Sequence, residues 1–277
     1  MWYLEFLRMR RALTVYALIL LGIALALVVG LQLGHVAVGN SVSFGPGGPS
    51  DVGFVYVTGG HETKRVAAKS LEFPLVWLVG VAGFLAIFFT AILGPSLNAE
   101  SEHLDYVFTK PISRARLGAS YVLVDVAGLL AAFLVGLVIA VIPLASIGIL
   151  RFLFVDSAAL PTFVLLLGMA FMWYGEKQAA TGWYQGSGGK AGVVSIVVFS
   201  ILSALAAVDL GPSFHATIIA LNFLNPLAYL HSLTSQGGTV NEHTLLPVSM
   251  AWQIVLTWSI GVVCCAIAVA GWRRVEA

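Results

Sequence analysis

Long apolar runs alternate with short polar segments along this chain, and the alternation predicts six helical spans. An apolar run of about 20 residues crosses a bilayer, because about 1.5 Å per residue covers a hydrocarbon core of about 30 Å. Inside that core every backbone polar group must be satisfied within the segment, so such spans are helices. They fall at about 13–33, 73–93, 117–147, 161–174, 191–208 and 248–272. Pro95 follows the second span and Pro161 suits the first helical position of the fourth. The third is long enough to need tilt, or the kink expected at Pro143. The fourth is short, and residues 158–160 extend it.

The intervening segments differ in kind. Residues 1–12, MWYLEFLRMRRA, are amphipathic: Trp2, Phe6, Met9 and Leu13 recur at helical spacing, with Glu5, Arg8 and Arg11 toward other faces. Such a helix lies in the membrane interface, or simply anchors the first span. The outer segment at 35–72 is polar and Gly-rich, with a turn at GPGGPS, 45–50. Residues 42–44 and 54–58 have strand character, and 61–72 reads as a short helix leading into the second span. The segment is either a small external β-hairpin or an unspecialised loop. The outer segment at 209–247 holds two apolar pieces, 213–221 and 226–234, too short to span, which suit re-entrant or interfacial helices.

Composition agrees with the pattern. Hydrophobic residues make up 59% and charged residues 10%, and the mean hydropathy is +0.96; a soluble domain has about 25% charged residues. The fold expected is an all-α membrane protein forming a single transmembrane domain over 1–277. The net charge of +1 and the lack of a basic stripe give no sign of nucleic-acid binding. Of the 14 Lys and Arg residues, ten (Arg8, Arg10, Arg11, Lys110, Arg114, Arg116, Lys177, Lys190, Arg273, Arg274) fall on one side of a six-span topology and four (Lys64, Arg65, Lys69, Arg151) on the other. The positive-inside bias puts both termini in the cytoplasm, and the cell membrane is the expected location. The first apolar run exceeds a signal-peptide core of about 7–15 residues, so that span is expected to remain in the mature protein.

Residues that do chemistry are scarce. A phosphate-binding loop needs G-x-x-x-x-G-K-[ST]. The nearest match runs from Tyr184 to Ala191, with Tyr184 in place of the first Gly and Ala191 in place of Ser or Thr, and reads as a cytoplasmic loop. No histidine pair has metal-site spacing on a helix. His231, Glu242 and His243 share the outer segment, as solvated loop residues or as a gathered metal site. Cys264 and Cys265 are adjacent in an apolar run and read as small helix-facing residues. No catalytic, cofactor or metal residues are expected. Asp125 is the one acid expected well inside a span, about 12 Å along the helix from Leu117. A charge in hydrocarbon costs at least ~2.5 kcal/mol. Asp125 is therefore either a conformational pivot or substrate contact, or a hydrated residue near the inner interface within reach of Arg116.

The segment at 98–117, NAESEHLDYVFTKPISRARL, is densely charged and lies between two long apolar spans. Glu100, Glu102, Asp105, Lys110, Arg114 and Arg116 are interleaved with Leu104, Tyr106, Val107 and Phe108, and the aromatics favour a protein partner over plain solvent. This stretch resembles the cytoplasmic coupling helix of ABC-2 type transporter permeases: Glu100, an amphipathic turn at 104–108, then Pro111-Ile112-Ser113-Arg114. Where that family usually has Gly two residues after the Glu, this chain has Glu102. Residues 1–12 resemble the family's elbow helix. Asn225-Pro226-Leu227 resembles an Asn-Pro-Leu found before its last span, and Trp272-Arg273-Arg274 forms a basic end.

The resemblance covers nearly the whole chain. It implies six transmembrane helices with an N-terminal elbow, a coupling segment at 98–116 and outer re-entrant helices at 209–247. It further implies a second permease copy or homologue and cytoplasmic ATPase subunits, with ATP and Mg held by the ATPases and no cofactor on this chain. The family moves lipids, lipid-linked glycans, peptides or drugs, and a subset serves metalloenzyme maturation. Glu100, Glu102, Asp105, Tyr106, Phe108, Lys110, Pro111 and Arg114 would be the ATPase-coupling residues, and Asn225 and Pro226 the outer motif. Two other classes fit the composition. An ion-coupled secondary carrier favours an internal repeat and several intramembrane ionisable residues; an intramembrane enzyme needs a convergent polar set inside the spans.

Overall fold

The computed structural model describes residues 2–33, 36–38, 42–45, 54–59, 62–67, 73–93, 113–146, 150, 153–184, 188–206, 212–229, 246 and 248–272. Helices dominate: α1 (Trp2–Leu33), α2 (Leu75–Ile92), α3 (Arg114–Ser146), α4 (Ala159–Tyr184), α5 (Gly188–Ala206), α6 (Pro212–Asn222) and α7 (Met250–Trp272). Among the described residues Phe6–Gly30, Arg116–Ser146, Ala159–Ala180 and Met250–Gly271 are long and apolar enough to cross a membrane. Leu75–Thr90 and Val194–Ala206 are apolar but shorter. This is a multi-pass helical membrane protein, as the apolar pattern predicts.

Local chemistry sets the helix ends. Ser113 stands just before α3, and its Oγ accepts from Arg116 N at 3.4 Å, a side-chain cap for an orphan amide. Asp156 Oδ1 accepts from Val76 N at 3.1 Å, placing a carboxylate at the positive end of α2. Pro212 opens α6, where its missing N–H is not needed. Pro143 lies in the last turn of α3, where little helix remains to be broken.

Contacts between helices fix their directions. Phe133 of α3 stacks edge-on with Phe163 of α4 at 4.6 Å, near the start of α4 and far from the start of α3. Arg8 near the start of α1 pairs with Asp125 in the first half of α3, so these two run parallel. Lys177 near the end of α4 bonds Leu93 at the end of α2, so those two run parallel as well. Trp173 stacks on Phe199 of α5, which returns antiparallel from the short turn after α4. Trp258 Nε1 donates to Val164 O at 3.1 Å, and farther along both helices Gly261 meets Phe171, so α7 runs parallel to α4.

The helix α4 is the axis of the bundle. Its candidate span is 72% buried, against 17% for α1 and 28% for α3 and α7. The outer helices turn Leu18, Ile23, Leu134, Val138, Val197, Ile201, Val262 and Val263 outward, a continuous apolar exterior that suits lipid and not water. The seam between α4 and α7 is close because it lacks side chains: a Cβ on Gly168 would fall 2.5 Å from Thr257 Oγ1, and one on Gly261 would fall 2.6 Å from the Phe171 ring. Small residues of this kind let membrane helices approach backbone to backbone.

Several sequence expectations change. Residues 2–12 are helical and continue into the first span within one helix, Trp2–Leu33, which leaves both the elbow and the anchor readings open. The segment between α1 and α2 contains a four-stranded antiparallel sheet, β1 (Val36–Val38), β2 (Val42–Gly45), β3 (Phe54–Gly59) and β4 (Glu62–Ala67), in sequential order. Part of 61–72, read as a short helix, is strand β4, because Thr63, Lys64, Arg65 and Val66 pair in register with Thr58, Val57, Tyr56 and Val55. A short parallel pair, β5 (Phe73–Pro74) and β6 (Leu153–Phe154), brings the starts of α2 and α4 together. The fourth helix does not stop at Tyr174 but continues to Tyr184.

Candidate functional site

The continuation of α4 carries Lys177 into the protein, and a buried polar cluster forms around it at one end of the bundle. Tyr174 and Lys177 are three residues apart and share one face of α4. Asp125 of α3 is fully buried. It accepts a hydrogen bond from Tyr174 Oη at 2.7 Å and forms an ion pair with the Arg8 guanidinium of α1. Lys177 Nζ donates to Thr90 O at 2.8 Å and to Leu93 O at 2.9 Å. These carbonyls lie at the C-terminal end of α2, where a helix leaves its last carbonyls to other donors. A cation also suits the negative end of a helix. Three side-chain donors and one carboxylate thus join α1, α2, α3 and α4 at one level.

The cluster is a mechanical device in chemical terms. Its groups pair ions and share hydrogens. Removing one partner of a buried pair typically costs ~3–5 kcal/mol, because the other charge is left stranded. Moving one of the four helices alone would therefore break one of these contacts. Met9, one residue from Arg8, packs against the face of α3 at Gly128, where a Cβ would fall 2.1 Å from its sulfur.

A second polar knot lies at the turn after α6. Asn225 Nδ2 donates to Ser203 Oγ at 2.9 Å and Phe199 O at 3.1 Å, both on α5, and to Asn222 Oδ1 at 2.8 Å. Its Oδ1 accepts from Leu227 N at 3.0 Å, a side-chain turn that leads into a helical turn at 226–229 begun by Pro226. Asn222 Nδ2 reaches Leu202 O at 3.3 Å. The Asn-Pro pair thus fastens the α6 turn to α5.

The structure places the expected site residues unevenly. Glu100, Glu102, Asp105, Tyr106, Phe108, Lys110 and Pro111 lie outside the described residues. Arg114 is the first residue of α3. Leu93 and Ser113, which bracket that segment, sit at the end of the bundle that holds the polar cluster. Asp125 is not a hydrated interfacial residue near Arg116: it is buried against Arg8 and Tyr174, while Arg116 is exposed.

Sequence reasoning missed Tyr174 and Lys177 as cluster members because Glu176-Lys177-Gln178 reads as the end of a span. The signal that would have found them is Trp183-Tyr184, since aromatic residues mark membrane interfaces and place the helix end a turn or two beyond the charges. Comparison with protein-family models, with curated proteins and with solved structures gave no match.

Proposed function

We propose that this chain is the membrane-spanning permease subunit of an ATP-driven transporter of the ABC-2 type. In this reading α1, α2, α3, α4, α5 and α7 are six spans with both termini in the cytoplasm of a cell-membrane protein. The start of α1 is the elbow. The segment α6 to 229, fastened to α5 by Asn225, is the outer re-entrant element, and 98–116 is the coupling segment. ATP and Mg belong to separate cytoplasmic ATPase chains, and a second permease copy or homologue completes the complex. The substrate is a lipid, glycan, peptide or drug-like molecule.

One observation carries the reading. The two helices that bracket 98–116 are the ones fastened to the central helix at the bundle end nearest that segment: α2 by Lys177 and α3 by Asp125 with Tyr174. A push on the charged segment by closing ATPases is thereby passed to α4 and, through the glycine seam, to α7. Such transmission needs a packed element with two stable arrangements and no bond chemistry in this chain. The alternating helix directions also agree with the six-span topology that the Lys and Arg distribution favours.

The test is purification in mild detergent from its native host. A soluble protein with a P-loop should accompany the chain at a fixed ratio. Purification of an active transporter from this chain alone would refute the assignment.

A further inference from the structure

The helix α4 carries a second ionisable group that the Arg8–Asp125–Tyr174–Lys177 cluster leaves aside. Glu176 precedes Lys177, so it points about 100° away around the helix. Lys177 faces the end of α2, whereas Glu176 lies in electrostatic range of Cys264 on α7 and of Tyr229 in the turn at 226–229. The residue is only partly buried. Its Oε2 is nevertheless sealed from solvent and has no hydrogen-bond partner among the described residues.

The neighbours have their donors engaged elsewhere. Tyr229 Oη donates to Phe223 O at 2.8 Å. Lys177 Nζ is held by the Thr90 and Leu93 carbonyls. Cys264 offers a weak S–H donor at best. An ionisable side chain at membrane depth with an oxygen unpartnered among the described residues points to a binding site, because a ligand of opposite charge relieves the penalty.

The surroundings select the ligand. Trp173 is one turn before Glu176 on the same side of α4. It stacks edge-on with Phe199 of α5 at 6.2 Å, and Tyr229 belongs to the same buried cluster as Trp173. Trp173 and Tyr229 are themselves buried, so the carboxylate lies in apolar and aromatic surroundings that suit an organic cation, drawn by its charge, better than a strongly hydrated one. A hard metal ion asks for several oxygen ligands, and no group of three or more His, Cys, Asp or Glu side chains gathers among the described residues. One turn beyond Cys264, Ile267 is 40% exposed on α7, an apolar surface for a tail.

We propose that Glu176, beside the exposed apolar face of α7 at Ile267, binds the cationic head of an amphiphilic molecule. That this molecule is the transported substrate rests on the permease reading; that it binds does not. The site then places the cargo head on the helix that also carries Lys177, so occupancy and the clamp on α2 share one rigid element.

The test uses the full chain in nanodiscs of neutral phosphatidylcholine, with no nucleotide added, and tetraphenylphosphonium as ligand. Wild type should bind it saturably, and tetraphenylborate, of equal size and opposite charge, should not bind saturably when measured in a separate sample. Glu176→Gln should weaken binding by about tenfold or more, and Glu176→Asp should keep most of it. In wild type, tetraphenylphosphonium should also protect Glu176 from dicyclohexylcarbodiimide, read by mass spectrometry, which requires no variant to fold. Equal binding by Glu176→Gln, equal binding of both ions, no binding, or no protection of Glu176 would each overturn the proposal. None of these results depends on whether an ATPase accompanies the chain, so the site and the permease assignment fail separately.

Discussion

Lys177 donates from Nζ to the carbonyl oxygen of Leu93 at 2.9 Å, fastening the central helix to the last turn of α2. The same ammonium takes Thr90 O at 2.8 Å, so one buried side chain serves two carbonyls at the end of α2. The charged segment at 98–116 follows shortly after Leu93. Any displacement of that segment that pulls on α2 must break these two bonds or carry α4 with it.

Replacing Lys177 by Met keeps the length of the side chain and removes both bonds. A buried polar group left without a partner costs ~1–3 kcal/mol. The detergent-purified variant should show a lower thermal unfolding midpoint while still inserting in the membrane. An unchanged midpoint would mean that the clamp contributes nothing to the ground state.

The Arg8–Asp125 pair should behave as a coupled unit. Asp125→Asn takes the carboxylate from a partly buried guanidinium, and Arg8→Met takes the guanidinium from a fully buried carboxylate that also accepts from Tyr174. The carboxylate is the more enclosed partner, so Arg8→Met should be the more damaging change, up to ~3–5 kcal/mol. The double variant should lose less than the two single losses combined, by ~0.5–3 kcal/mol in a double-mutant cycle. Strict additivity would show that the two side chains do not act on each other.

The helical spans and the membrane class were legible in the sequence because a bilayer demands long apolar helices, and little else meets that demand. The strand character of 42–44 and 54–58 was also visible. Strand β4 was not, because its Glu62, Lys64 and Arg65 mask the pattern and only pairing with β3 makes it a strand. The polar cluster was half legible. Asp125 stood out as a charge in an apolar run, but its partner Arg8 is 117 residues away and looked like an ordinary basic flank. Glu176 and Lys177 were hidden by the rule that charges end spans. A central helix enclosed by its neighbours escapes that rule, since a charge such as Lys177 meets protein carbonyls and not lipid.

The α4–α7 seam should tolerate no added volume. Gly261→Leu would drive a side chain into the Phe171 ring, and even Gly168→Ala meets Thr257 and the Trp258 indole within 3 Å. Overpacking of this kind typically costs ~1–3 kcal/mol. Gly22→Ala on α1 is the control: nothing lies within 4 Å of the added methyl, and a helix interior gains up to ~1 kcal/mol from Ala over Gly. Thermal unfolding of the three variants should therefore split in sign, with the α1 change neutral or stabilising. A destabilised Gly22→Ala protein would show that this face of α1 is covered by something in solution.

The coupling segment gives the sharpest test of the permease assignment. Tyr106 and Phe108 are two residues apart, so on a helix they diverge by about 200°. Apolar contacts on both sides fit a helix inserted in a groove better than one lying on a flat surface. Aromatic anchors in such a groove tend to carry the binding energy, with losses of ~2 kcal/mol or more on truncation. Charged neighbours such as Glu100 and Arg114 would set register at the rim and alter mainly the rate of association and its salt dependence. Tyr106→Ala with Phe108→Ala should therefore leave the purified bundle as stable as wild type, since the polar cluster and the glycine seam lie elsewhere in the chain. It should reduce the ATPase recovered per permease and the substrate-stimulated hydrolysis in reconstituted membranes. Ser187→Ala, between α4 and α5 in the sequence, should change neither. Full ATPase recovery and hydrolysis in the double variant would remove 98–116 as the coupling element and leave Lys177 and Asp125 as structural fastenings alone.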